Sequence, residues 1–153
     1  MRKTLWMILG ITCAFSIALW SAFNRPENPE PDWSGTFNYV SFSPYRSGQD
    51  PIENKFPTPE EIMEDLVFLK GKTKGIRTYS SLDGMEAIPG MATRLGFEVT
   101  AGVYIDGRYE RNEDEIYNLI QNVNRYPATI RRVIVGNEAI YRSDLSVQEI
   151  ITY

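Results

Sequence analysis

The feature that most constrains this chain is a repeated alternation of strand-like and helix-like segments after residue 33. Four short runs rich in β-branched and aromatic residues each precede a polar break and a segment with helical spacing of apolar residues. These runs are residues 36–43, 74–79, 98–105 and 132–135. They lie roughly 25 to 40 residues apart, as in strand–helix units joined by right-handed crossovers. The pattern predicts an α/β domain with parallel strands.

Three of the intervening helices are predicted to begin at a capping box, in which a small polar residue is followed three positions later by glutamate. The pairs are Thr58 with Glu61, Asn112 with Glu115, and Ser146 with Glu149. The remaining helix is predicted within residues 84–95, with Pro89 in its first turn and Gly96 at its C-terminal end. In the helix after residue 112, Ile116, Leu119, Ile120 and Val123 repeat at helical spacing.

Two architectures accommodate such units, a closed barrel and an open doubly wound sheet. The sequence contains no GxGxxG or GxxxxGK[ST] pattern, so nucleotide binding after the first strand has no support. This favours four βα units that form the N-terminal half of a (β/α)8 TIM barrel. A complete barrel takes about 250 residues, and the chain has 153. A truncated or interrupted reading frame is therefore expected.

Composition removes several classes of function. The chain has no histidine, which excludes Ser-His-Asp and Cys-His nucleophiles and HExxH metal sites, and assigns any acid/base chemistry to carboxylates, lysine or tyrosine. The single cysteine, Cys13, forms no intrachain disulfide and no cysteine-based metal cluster. The net charge is −4 with mixed signs, so no nucleic-acid partner is indicated. No metal and no organic cofactor is predicted.

The N-terminal segment is predicted to be a membrane anchor or a signal segment. Residues 5–23 carry no charge, and they are long enough to nearly cross a hydrocarbon core of ~30 Å. Trp6 and Trp20 lie near the two ends, as interfacial aromatic residues do. Basic residues precede this segment and acidic residues lie after it, which places the N-terminus in the cytoplasm. The alternative is a cleavable signal peptide, with small residues at Ser16 and Ala18.

Both alternatives imply export of the domain. The predicted organisation is an anchor or signal segment at residues 1–23, a proline-rich linker at 24–32, and a partial barrel domain at 33–153. An uncleaved segment would place the protein in the cell membrane as a single-pass protein, with the domain periplasmic or extracellular. A cleaved segment would make the protein secreted.

Polar and aromatic residues lie at or just past the end of each predicted strand, where barrel enzymes place their active sites. They are Phe42 and Tyr45, then Arg77 and Tyr79, then Tyr104, and finally Asn137 and Glu138. Strand alternation puts Arg77 and Tyr79 on one face, where a guanidinium and a phenol suit hydrogen bonds to sugar hydroxyls or to a catalytic carboxylate. The alternative is an exposed, ion-paired arginine beside a half-buried tyrosine. Asn137 and Glu138 reach one site only if the chain twists or bulges there.

Three of these segments, in this order and at these strand ends, resemble glycoside hydrolase family 17. They are YVSFSPYR at residues 39–46, IRTY at 76–79 and VGNE at 135–138. The family comprises β-1,3-glucanases and related glucanosyltransferases, and the SPYR-x-GQ-x-P and VGNE segments are most similar to its bacterial membrane-linked branch. The resemblance covers residues 37–149 and implies a (β/α)8 barrel and a retaining mechanism with two glutamates.

The resemblance also implies roles for individual residues. Glu138 would be the general acid/base, and Asn137 would bind the 2-hydroxyl of the sugar at the cleavage site. Arg77 and Tyr79 would shape that subsite, while Phe42, Tyr45 and Tyr104 would stack on sugar rings. The partner would be a β-glucan polysaccharide or oligosaccharide.

The family's nucleophilic glutamate lies near the end of the seventh strand, and four strands are predicted here. The chain is therefore expected to be an inactive N-terminal fragment of a β-1,3-glucan glycosidase. The alternatives are a non-catalytic, membrane-anchored glucan-binding protein and a gene remnant. A phosphate-binding barrel enzyme is disfavoured because the sequence has no glycine-rich loop.

Overall fold

The computed structural model describes residues 2–25 and 34–153, which fall into two units. The first unit contains one helix, α1 (Arg2–Phe23), with no buried residue. This helix is long and apolar enough to cross a membrane, a property that signal sequences share. The proline-rich segment predicted as a linker lies outside the described residues from position 26 onward, as does Trp33 at the predicted start of the domain.

The second unit alternates strands and helices along the chain. In order these are β1 (Phe37–Ser41), α2 (Pro59–Leu69), β2 (Thr73–Arg77), α3 (Ile88–Leu95), β3 (Glu98–Val103), α4 (Tyr109–Arg125), β4 (Ile130–Val135) and α5 (Val147–Ile151). Short 3-10 turns at Pro51–Glu53 and Met85–Ala87 precede α2 and α3. The strands form one parallel sheet in the order β1-β2-β3-β4. The predicted succession of parallel strand–helix units is confirmed.

The hydrophobic core lies between the sheet and the helices. Ile76 on β2 and Val99 on β3 are fully buried, together with Ile62 and Leu66 on α2. Residues at alternate strand positions face the other side of the sheet. That side is polar near the start of the strands, where the Tyr39 hydroxyl donates a hydrogen bond to the Glu98 carboxylate over 2.5 Å. The helices therefore cover one face of the sheet and supply most of its apolar contacts.

Two of the three predicted capping boxes form. The side chains of Thr58 and Ser146 accept hydrogen bonds from the backbone three residues on, and Glu61 and Glu149 accept from the backbone of the capping residues in return. Each pair satisfies helix N–H groups that have no partner within the helix. The starts of α2 and α5 are thus as predicted.

The third predicted capping box, at Asn112 and Glu115, is wrong. Helix α4 begins at Tyr109, so both residues lie inside its first two turns, and both are 0% exposed. Glu115 accepts a hydrogen bond from the loop after β2, and Asn112 accepts one from the loop after β3. Neither side chain therefore caps the start of the helix. Of the apolar residues that repeat at helical spacing in this helix, Leu119 is buried, whereas Ile120 is 50% exposed.

The predicted strands also extend too far at their C-terminal ends. β1, β2 and β3 end at Ser41, Arg77 and Val103, two residues before the predicted ends. Single hydrogen bonds continue the ladders for one residue, from the Phe42 N–H to the Arg77 carbonyl and from the Thr78 N–H to the Thr100 carbonyl. The chain then leaves the sheet, so the residues beyond lie in loops at its carboxyl edge.

Candidate active site

Arg77, Tyr79 and Asn137 form one cluster at the carboxyl edge of the sheet. Nη2 of Arg77 donates to Oδ1 of Asn137 over 2.6 Å, and its guanidinium carbon lies 4.8 Å from the centroid of the Tyr79 ring. Nε of Arg77 is buried and has no hydrogen-bond partner among residues 2–25 and 34–153. Stacking and the charge-assisted bond hold the guanidinium in one orientation. This hydrogen bond connects the ends of β2 and β4 through two residues that are 60 positions apart in the sequence.

The chain turns sharply between the end of β4 and Glu138. Gly136 has φ 75° and Glu138 has φ 56°, both in the left-handed region. The positive φ favours glycine at position 136, and a Cβ there would also require the end of the Ile150 side chain to move. Asn137 and Glu138 consequently lie in a turn beyond the strand, where strand alternation no longer assigns them to opposite faces.

Glu138 presents an accessible carboxylate at this edge. Its side chain is exposed, and no group in the described part of the chain hydrogen-bonds or pairs with the carboxylate. A left-handed backbone at a residue other than glycine costs on the order of 1 kcal/mol, and such strain is concentrated at functional sites. The carboxylate is thus available to a ligand, and Glu138 directly follows Asn137, whose side-chain oxygen accepts from Arg77.

Gly102 on β3 lets the end of β2 approach closely. A Cβ at this position would meet the Thr78 carbonyl and the Tyr79 backbone, and the Gly102 N–H donates to Oγ1 of Thr78 over 3.1 Å. This contact sets the direction in which the chain leaves β2. Tyr79 is placed by packing as well as by its contact with Arg77.

Arg142 connects the loops at this edge and is not among the predicted site residues. Its guanidinium donates to the Asn137 carbonyl over 2.7 Å and to the Ile105 carbonyl over 3.3 Å. It also lies 4.4 Å from the centroid of the Tyr104 ring and pairs with Asp144 over 2.7 Å. One side chain therefore joins the ends of β3 and β4. The signal in the sequence is only an arginine four residues after Glu138, in a segment without periodicity.

A cavity of about 740 Å³ opens beside the cluster, between the loops that follow β1, β2 and β3. Its aromatic walls come from Tyr45, Phe56, Tyr79 and Tyr104. Two ion pairs supply charge, Arg108 with Asp106 at 2.5 Å and Arg111 with Asp83. Aromatic faces with a few fixed polar groups suit a ligand that has both apolar and hydroxyl-bearing surfaces.

Phe42 does not contribute to this cavity. Its ring is 6% exposed and packs in the hydrophobic core, because alternation from the partly buried Val40 places it on the helix-covered side of the sheet. The expected stacking of Phe42 on sugar therefore lacks an accessible ring. Tyr45 is partly buried, and burial raises the pKa of its phenol, so the hydroxyl keeps its proton at neutral pH.

Arg46, in the SPYR segment, faces helix α2 instead of the cavity. Its Nη2 donates to Oδ1 of Asp65 over 2.8 Å, to Oε2 of Glu64 over 3.2 Å and to the Glu61 carbonyl over 3.0 Å. This network attaches the long loop after β1 to α2. Its consequence for the site is indirect: it fixes the loop that carries Tyr45.

The chain is similar to known glycoside hydrolases over most of its second unit. Residues 39–153 match the family described as the BtgE/BtgC glycoside hydrolase domain. A glucan 1,3-beta-glucosidase of Candida albicans is 31% identical over 90 residues, which is 56% of this chain and 29% of the fungal protein. Glucan 1,3-beta-glucosidase BGL2 of Candida albicans strain SC5314 matches to the same extent.

Two solved structures of a Rhizomucor miehei β-1,3-glucanosyltransferase resemble the fold. One is the glycoside hydrolase family 17 enzyme, at 26% identity, and the other is an active-site mutant in complex with laminaritriose, at 25% identity. Each has a TM-score of 0.58 and covers 74% of this chain and 41% of the solved chain. The chain thus spans less than half the length of the relatives it matches.

Proposed function

Because the chain belongs to the BtgE/BtgC glycoside hydrolase domain family, we propose that it carries the acid/base half of a retaining β-1,3-glucan glycosidase or glucanosyltransferase. The predicted resemblance to family 17 is confirmed, and so is the fold prediction of four βα units of a barrel. One observation carries the proposal. Glu138 stands exposed past β4 beside Asn137, whose side-chain oxygen accepts from Arg77 over 2.6 Å.

In this proposal Glu138 acts twice. As an acid it protonates the glycosidic oxygen while the bond from the anomeric carbon to that oxygen breaks and a second carboxylate bonds to the anomeric carbon. As a base it then takes the proton of the attacking water or sugar hydroxyl, which displaces the carboxylate. Water gives hydrolysis and a sugar hydroxyl gives transfer. The second carboxylate, ~5.5 Å from the first in retaining enzymes, would come from a part of the barrel that these four units do not include.

The surrounding residues would bind the sugar. Asn137 would hydrogen-bond the 2-hydroxyl, an interaction that strengthens as positive charge develops at the anomeric carbon. Arg77 and Tyr79 would shape the same subsite, and the cavity walls Tyr45 and Tyr104 would contact further rings. Their position in the 740 Å³ cavity or beside Asn137 supports this assignment.

The segment at residues 1–23 would hold the domain at a membrane, with residues 24–32 as spacer and the barrel portion from residue 33 onward on the outer side. Helix α1 supports this arrangement because it is long and apolar enough to span a bilayer. The same helix is equally compatible with a second candidate function, which is tethered binding of glucan without turnover. Cleavage after α1 as a signal segment would release the domain.

The proposal is tested by binding and by turnover. Calorimetry with laminaritriose on the chain in detergent should give a saturable signal that Asn137→Ala removes.

Turnover of laminarin, measured on the longest product expressed from the native gene, should fall at least about a hundredfold in Glu138→Gln. Glu113→Gln is the matched control, because Glu113 is an exposed glutamate on α4. Normal turnover by Glu138→Gln would refute the acid/base role, and binding without any turnover would favour the tethered binding protein.

A further inference from the structure

Helix α4 turns two polar side chains toward the interior, Asn112 and Glu115, and both are 0% exposed. Residues three apart lie on the same face of a helix, one above the other. A buried amide or carboxylate destabilises the fold unless hydrogen bonds satisfy it. The partners of these two side chains therefore indicate why they are tolerated in the core.

Glu115 binds the loop that follows β2. Its Oε1 accepts from the Ser80 hydroxyl over 2.5 Å, and its Oε2 accepts from the Ser81 N–H over 2.6 Å. The Ser81 hydroxyl in turn donates to the Gly102 carbonyl on β3 over 3.1 Å. Because Ser80 directly follows Tyr79, the carboxylate fixes the chain at the point where that ring enters the cavity.

Asn112 binds the loop that follows β3 in the same manner. Its Oδ1 accepts from the Asp106 N–H over 3.0 Å, and its Nδ2 donates to the Asp106 carbonyl over 2.7 Å. Nδ2 also donates to the Tyr153 hydroxyl over 3.1 Å. Both main-chain polar groups of Asp106, two residues after Tyr104, are thus held by one amide.

We propose that Glu115 and Asn112 are positioning residues for glucan binding, Glu115 through Tyr79 and Asn112 through Tyr104. This inference rests on the proposed function for its ligand. Both side chains are fully buried and contact the loops from behind, so neither touches a sugar in the cavity. Arg111 on α4 acts electrostatically on the Glu115 carboxylate, and Asp83 in the loop after β2 pairs with Arg111.

The isosteric variant Glu115→Gln leaves one acceptor oxygen where the loop offers two donors. Opening of residues 79–82 should therefore become about tenfold more frequent or greater, as expected when a hydrogen bond to a charged group is lost. Asn112→Leu removes both bonds to Asp106 at similar volume. It should loosen residues 104–107 by a comparable factor and leave residues 79–82 unchanged.

Hydrogen–deuterium exchange on the full chain tests this division, with Glu113→Gln as the exposed control on the same helix. In Glu115→Gln, exchange should become faster in residues 79–82 and at Tyr104, whose backbone also bonds to Glu115. In Asn112→Leu, faster exchange should be confined to residues 104–107. This division supports the proposal. Equal acceleration across the whole domain, or no change in either loop, overturns it. If Glu115→Gln does not fold, Ser80→Ala removes the bond to Oε1 of Glu115 from the loop side, together with the bond that the Leu82 N–H donates to the Ser80 hydroxyl, and should speed exchange in residues 79–82.

Laminaritriose affinity supplies the second measurement. Glu115→Gln should bind the trisaccharide about tenfold more weakly, while the unfolding midpoint stays within a few degrees of the parent chain. Unchanged affinity in a chain that binds the sugar would overturn the positioning role. If the parent chain binds no laminaritriose, the proposed function fails, and the exchange pattern alone decides whether the pair positions the loops.

Discussion

The end of β4 and the inner face of α4 each carry a glutamate, and the two are used in opposite ways. Glu138 is exposed, sits on left-handed backbone, and has no partner for its carboxylate in the described part of the chain. Glu115 is 0% exposed and accepts from Ser80 and Ser81. A group that exchanges protons with substrate must be reachable by it. Accessibility and partners, more than residue type, separate the candidate acid/base from the residue that holds the loops.

The electrostatics of Glu115 follow from its location. Burial raises the pKa of this carboxyl, because removal from water disfavours the charged form, while hydrogen bonds from Ser80, Ser81 and the Tyr104 backbone lower it in part. The contribution of Glu115 to the free energy of unfolding therefore depends on pH. Unfolding measured at several pH values can detect this structural role.

The largest expected effect separates the two glutamates by kinetics. Glu138→Gln should lower kcat on laminarin by roughly 10² to 10⁴, because the leaving oxygen loses its proton donor. Glu115→Gln should act mainly on KM, since it displaces Tyr79 without touching the bond that breaks. Steady-state kinetics on the longest native gene product distinguish the two. A larger loss of kcat in Glu115→Gln would reverse the comparison.

The next effect concerns the arginine that orients Asn137. Arg77→Lys keeps the positive charge but loses the planar fork that bonds to Asn137 and stacks on Tyr79. Laminaritriose binding should weaken about tenfold, as expected for a lost charge-assisted hydrogen bond. Calorimetry measures it, with Arg94→Lys at the exposed end of α3 as control. If Arg77→Lys and Arg94→Lys bound laminaritriose with equal affinity, Arg77 would have no role in the binding site.

A smaller effect is the pH dependence of stability that Glu115 contributes. Its folded pKa lies above the reference value of 4.5, so between the two values the native state holds more protons than the unfolded state. The free energy of unfolding contributed by this group is therefore highest below 4.5 and falls as pH rises through the raised pKa. Glu115→Gln lacks this titration, so its stability relative to the parent chain should improve with rising pH.

Urea unfolding at several pH values from about 4 to 7 checks the sign, with Glu113→Gln expected to follow the parent chain. A parent chain that gains stability over Glu115→Gln as pH rises would mean that the hydrogen bonds outweigh burial. The carboxyl would then have a lowered pKa.

The smallest effect concerns a capping box that does form. Thr58→Ala removes the acceptor for the Glu61 N–H and should cost about 1 kcal/mol, which lowers the unfolding midpoint by a few degrees. Exchange in residues 79–82 should stay unchanged. If Thr58→Ala opened that loop as much as Glu115→Gln does, the distinction between a helix cap and a loop-holding residue would fail.

Much of the fold was predictable because its signals are local. The four strands and the boxes at Thr58 and Ser146 depend on neighbouring residues, and the structure confirms them except for the last two residues of three strands. The start of α4 was not predictable in this way. Asn112 and Glu115 match the spacing of a capping box, yet their partners lie up to 41 residues away, and only the tertiary fold brings them near.

The site was predictable where parallel strands end and not elsewhere. The strand-end rule placed Arg77 and Asn137 at one edge, and the structure joins them directly. Arg142 was not predicted as a site residue, because it lies in an irregular segment in which no periodicity indicates the direction of a side chain. Phe42 was assigned to the cavity although alternation from Val40 already points its ring toward the core.

The central claim, that Glu138 is the acid/base of a retaining glycosidase, is tested most directly by azide rescue. Glu138→Ala in the longest native gene product should form the glycosyl–enzyme intermediate from 4-nitrophenyl β-laminaribioside, whose leaving group needs no proton, and then stall. Added azide should restore turnover and yield the β-glycosyl azide, because azide attacks the intermediate without a general base. No rescue, or an α-glycosyl azide as product, would contradict the account.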